Sequence, residues 1–124
     1  MNDVAEMIGT GLSESSGIFT FPSTGKWLIH WNVNGMVAAA DQSYLGIYLH
    51  ITTINSNYTH TAHTYTANGN GYGGGSAYYL MDVTNVSTHK IRWHILASGG
   101  SNTTTQARTD GASTGFMVLR IGDT

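Results

Sequence analysis

The side chains with the most chemistry to offer are the histidines. The chain has 6 of them, at His30, His50, His60, His63, His89 and His94, with no cysteine and only 7 Asp+Glu. A metal centre built from this stock would be held by imidazole alone. His60-Thr61-Ala62-His63 has the shortest spacing. On a regular strand, residues three apart point to opposite faces, so the pair would share one ion only in a loop. His60 and His63 are therefore weak metal candidates. His30, His50 and His94 fall on strand faces opposite the apolar ones, where neighbouring subunits would bring them to a common axis. The plainer role for each is a polar strand residue or a hydrogen-bonded buried histidine, and no metal or other cofactor is expected.

Other chemistry is thinly supplied. No Gly-x-Ser-x-Gly elbow is present. The carboxylates Asp3, Glu6, Glu14, Asp41, Asp82, Asp110 and Asp123 sit mostly in turns or termini, far apart in sequence. The glycines at 69, 71, 73, 74 and 75 lack the Gly-Lys-Ser/Thr of a phosphate loop and no helix follows them. Asn57-Tyr58-Thr59, Asn85-Val86-Ser87 and Asn102-Thr103-Thr104 match the glycosylation acceptor, as chance allows in an Asn- and Thr-rich chain. The expectation is a protein that is not an enzyme.

The elements that position these residues read as strands. At 124 residues, 40% apolar and 10% charged, the chain has the length of one domain and few charges to desolvate. Net charge −2 with 5 Lys+Arg excludes the basic footprint of nucleic-acid binding and of attraction to anionic membranes. No run approaches the length of a membrane span, and Met1–Met7 lacks the basic and apolar regions of a signal peptide.

The most regular stretch is Gly17–Trp31, with two of the three tryptophans and the single proline. Ile18–Phe21 reads as a short strand, Pro22–Gly25 as a turn and Lys26–Val33 as a long strand. Its Trp27, Ile29, Trp31 and Val33 alternate with Leu28, His30 and Asn32. Asn34-Gly35 suits either a hairpin turn or a bulge. Further strands are expected at Tyr44–Ile54, Tyr58–Ala67, Ser76–Val83, His89–Ala97 and Phe116–Ile121. The polar Tyr58–Ala67 reads as an edge or a half-exposed strand. Residues 13–17, 68–75 and 98–113 read as loops, and Asp3–Ile8 as one helical turn at most. Seven or eight strands with no convincing helix predict an all-β, two-sheet jelly-roll sandwich. Residues 1–16 are expected to form an irregular or short-strand lead-in, as of a chain cut from a longer protein, and 17–124 the domain.

Gly17–Ile29, with its Phe, Pro, turn Gly and aromatic-x-apolar strand, resembles the first strand pair of C1q/TNF-like jelly rolls. Gly115–Ile121 is similar to that family's closing Phe-containing strand, and Tyr79–Val83 and Lys90–Trp93 lie about where its later strands would be. The resemblance spans roughly residues 17–122. It departs from the family at Asp82-Val83-Thr84-Asn85, where a Gly-Asp-x-Val element is common, and no collagen-like stalk precedes it. The cysteine-free, Thr/Asn/Gly-rich composition resembles the C1q-like domains of bacteriophage virion proteins. That resemblance implies a homotrimer located in a virion, as a capsid decoration or fibre knob, with capsid or tail proteins or a cell-surface glycan as partner.

Strands apolar on both faces call for a second burial surface, hence self-association. Tyr78, Phe116, Val118 and Leu28 are the expected trimer interface. Tyr72, Gly73, Asn102 and Thr104, in the loops, are the expected contacts to ligand or partner. The alternatives are a carbohydrate-binding module using Tyr72, Tyr48 or Trp93, and a small metal-dependent enzyme using His60 and His63.

Overall fold

The computed structural model describes residues 9–37, 44–66, 71–98, 103–105 and 114–124. The helical turn considered for Asp3–Ile8 lies outside them. Among the described residues there are nine strands and no helix. They are β1 (Ser13–Ser15), β2 (Ile18–Thr20), β3 (Gly25–Val37), β4 (Tyr44–Thr52), β5 (Thr59–Thr66), β6 (Gly71–Val83), β7 (Lys90–Ser98), β8 (Thr103–Thr105) and β9 (Gly115–Gly122). The strands form two antiparallel sheets, as the alternation predicts. One has the order β1-β2-β7-β4-β5; in the other β3 pairs β6 on one side and β8 and β9 on the other.

The core lies between the sheets. Trp27, Ile29, Trp31 and Val33 project from β3 onto Ile47 and Leu49 of β4, Met81 and Val83 of β6, and Ile91 of β7, with Phe21 at one end. Each fully buried aliphatic side chain in this set contributes about 1.5–3 kcal/mol. The alternation of β3 is thus a true inside–outside pattern. The polar β5 is an edge strand, as its composition suggests.

Local geometry explains where the sequence misleads. Residues 13–17 are not a loop but one arm and the turn of a hairpin. Ser15 pairs Ile18, and Ser16 and Gly17 take φ of 54° and 76°. Two left-handed residues are what a tight two-residue hairpin needs. Gly17 N donates to Glu14 Oε1 at 2.6 Å across it. The lead-in over residues 1–16 thus contains a short strand, one of the two forms expected for it.

Asn34-Gly35 is neither turn nor bulge. The β3–β6 ladder runs unbroken from Gly25↔Val83 to Val37↔Gly71. This draws Gly71–Gly75, expected in a loop, into a strand. Glycine is a poor strand former by itself, but Gly75 sits where the sheets nearly touch. A Cβ there would lie 2.5 Å from both Thr64 Oγ1 and Tyr65 O of β5. The long partner strand supplies the ladder, and the missing side chain lets the second sheet approach.

Candidate functional site

Two outer sheet faces carry unusual residue sets. The first belongs to β6-β3-β9. Cross-strand partners share a face, so the register defines its rows. Leu80, Leu28 and Leu119 form one row; Tyr78, His30 and Met117 form the next. Tyr78 is 74% exposed, Leu80 54%, Met117 51% and Leu119 51%. Lys26 with Asp82, and Asn32 with Ser76, border the rows on either side. The result is a contiguous apolar patch with a polar rim, on the order of several hundred Å², the kind that marks interaction sites.

The expected interface residues divide between faces. Leu28 and Tyr78 lie in this patch. Phe116 and Val118 pair with Trp31 and Ile29, which point inward. Val118 packs on the core. Phe116 stacks on Trp93 of the other sheet, centroids 4.1 Å apart, and Phe19 meets both rings edge-on at 5.1 Å. The register between β3 and β9 decides this. It puts Met117 and Leu119, rather than Phe116 and Val118, on the outer face, and the β3–β6 register adds Leu80.

The second face belongs to β5-β4-β7. Tyr48 sits at its centre, opposite His63 on β5 and His94 on β7, with His50 beside it opposite His60 and Arg92. The aromatic rings of His60, His63, Tyr65 and His94 all lie within 6.4 Å of that of Tyr48. Tyr48 donates its hydroxyl to Tyr65 Oη at 3.1 Å. Burial, reinforced by hydrogen bonds to Tyr65 and Tyr44, pushes the Tyr48 phenol far above its usual range, so it stays protonated. Gly46 makes room for the rings, since a Cβ there would meet Tyr65 Cδ1 at 2.9 Å and Tyr48 Cε2 at 3.0 Å.

His60 and His63 share this face, contrary to the simple strand rule. The register moves from Leu49↔Ala62 to His50↔His60, leaving Thr61 as a bulged extra residue. The bulge resets the alternation and brings His60 Nε2 to 3.0 Å from His63 Nδ1. No loop is required. His50 is half-buried, with its Nδ1 unpartnered. Burial holds its pKa below the ordinary 6.5, and the charges of Arg92, His60 and His94 act the same way.

The remaining histidines lie apart. His30 is on the opposite sheet's outer face. His89 is buried in the turn before β7, within 3.1 Å of Thr88 Oγ1 through Nδ1 and 3.4 Å of Thr84 Oγ1 through Nε2, a structural role. Among the described residues no three His, Asp or Glu side chains form a group able to hold a metal. A cleft of ≈ 340 Å³ lined by Ile51, Thr52, Thr53, Ile54, Asn57, Thr59 and Thr61 offers no acid, base or strong nucleophile.

The expected partner loops are also redistributed. Gly73 and Tyr72 lie in β6, their backbones opposite Gly35 and Met36, and Thr104 lies in β8, also opposite Met36. They belong to the sheet, not to a loop. Asn102 lies outside the described residues. Of the rings proposed for glycan stacking, Tyr48 is buried and Trp93 is engaged by Phe116 and Phe19. Leu80, Met117 and Leu119 were legible only as apolar residues of two-faced strands, since their joint face depends on register.

No protein-family model matches the sequence, and comparison with curated proteins finds no relative.

Proposed function

We propose that the chain is a non-enzymatic structural and adhesive module that works as a homotrimer. One observation carries the reading: exposed Tyr78, Leu80, Met117 and Leu119 flank half-buried Leu28 and His30 on the outer face of β6-β3-β9. A sandwich of this kind needs only its inner faces to be apolar. A second face of this composition gains by burial against a copy of itself, and the low overall charge lets copies approach with little repulsion. The number three comes from the resemblance of residues 17–122 to C1q/TNF-like domains. The same resemblance supports a place in a bacteriophage particle, as decoration or fibre knob, touching capsid or tail proteins or a host glycan.

Light scattering coupled to gel filtration at micromolar concentration tests the reading. The expected mass is three times the 13.3 kDa of the chain. A monomer at that concentration overturns self-assembly, and a dimer overturns the trimer.

A further inference from the structure

We infer that His60 and His63 form a two-histidine chelate for one divalent transition-metal ion, with His60 Nε2 and His63 Nδ1 as ligands. The inference is independent of the trimer reading, since the pair lies on the opposite sheet.

The first support is distance. Imidazole nitrogens bind Zn²⁺ at about 2.0–2.1 Å, so two of them on one ion, at angles between octahedral and tetrahedral, lie about 2.9–3.4 Å apart. The observed separation is 3.0 Å. The second is that the backbone sets it. Residues three apart on a regular strand cannot meet, and the bulge at Thr61 is what turns both onto one face. Bulges recur where a strand must re-aim a side chain. The third is the support beneath the pair. The buried Tyr48 ring packs against His60 at 4.6 Å and His63 at 5.5 Å, and Tyr65 flanks His63 at 4.6 Å. A chelate needs such orientation.

The donor set selects the ion. β4, β5 and β7 contain no carboxylate, so these strands offer no acidic ligand of the kind Ca²⁺ or Mg²⁺ takes. Neutral imidazoles suit Zn²⁺, Ni²⁺ and Cu²⁺. Both rings are exposed, so the ion enters from solvent, and water completes the coordination. With two protein ligands the affinity is modest. The plain alternative is a hydrogen bond between two neutral imidazoles, in which one ring N–H donates to the other.

Titration calorimetry with Zn²⁺ and with Ni²⁺ alone, on the full chain at about pH 7.5, about a unit above the free-imidazole value, separates these. The chelate gives saturable binding of one ion per chain. His60→Gln and His63→Gln each weaken it about tenfold or more, and His94→Gln, on the same face, leaves it unchanged. In wild-type protein, Zn²⁺ shifts the imidazole NMR signals of His60 and His63 ahead of the other four, which settles the matter even where a variant folds poorly. Absence of binding at about 100 µM metal, or equal binding by His63→Gln, reduces the pair to a hydrogen bond and overturns the inference.

Discussion

The indole of Trp93 lies almost flat on the ring of Phe116, with centroids 4.1 Å apart and planes at 22°. The two residues belong to different sheets, so the contact fastens β9 to β7 across the sandwich. Phe19 completes the fastening from β2. Phe116→Ala removes two ring contacts at a half-exposed site, and the expected loss is about 2 kcal/mol of unfolding free energy, below that of a fully buried phenylalanine. Urea unfolding followed by tryptophan fluorescence measures it. Under the trimer proposal, the mass at micromolar concentration stays that of wild type, because the ring faces Trp93 and Phe19 of its own sandwich. A drop to monomer without loss of stability would return Phe116 to the interface.

Leu119, three residues further along β9, gives the opposite result. It lies outward beside Leu28 and Leu80. Leu119→Glu places a charge in the apolar row, where burial against another copy would cost several kcal/mol. In an isolated chain the carboxylate stays in water, and the effect on folding is within about 0.5 kcal/mol. Light scattering is therefore expected to show a monomer whose thermal unfolding is close to that of a dissociated wild-type chain. Leu80→Glu behaves in the same way, and a variant that retains wild-type mass removes this face from the assembly.

The contrast between these two residues shows how far the sequence is legible. Alternation identifies Trp27, Ile29, Trp31 and Val33 as core, and low apolar content marks Tyr58–Ala67 as an edge or half-exposed strand, since each depends on one strand's own residues. Which residues of β9 share a face with Leu28 depends on pairing register, which no single strand encodes. The meeting of His60 and His63 depends on one bulged residue, Thr61, whose type gives no warning. Ser13–Ser15 is polar on both faces and becomes a strand only through the Ser16-Gly17 turn. Gly71–Gly75 has the composition of a loop and becomes a strand because β3 is long enough to pair with it.

That last segment makes its own prediction. A Cβ at Gly75 would lie 2.5 Å from Tyr65 O, a backbone atom that cannot move without shifting β5. Gly75→Ala is expected to destabilise by about 1–3 kcal/mol, as overpacking does. Gly115→Ala is the control, because a Cβ there meets nothing within 4 Å. Its effect should stay within about 0.5 kcal/mol. Chemical unfolding of both variants decides, and equal stabilities would mean that the two sheets are not held at that distance in solution.

The histidine face predicts how stability follows pH in buffer freed of metal by a chelator. His50 is held below its ordinary 6.5 first by burial, then by Arg92, His60 and His94. The groups facing it are Arg92 and His94 from β7, His60 from β5 and Tyr48 from its own strand, and none of them is a carboxylate. The native state therefore resists a proton that the unfolded chain accepts. Stability is complete above the ordinary value and falls as pH drops from 6.5 toward the lowered native pKa, where the slope levels off. His50→Gln removes this contribution, so its urea midpoint should change less than that of wild type between about pH 7 and pH 5. Parallel profiles would show that His50 titrates alike in the folded and unfolded chains.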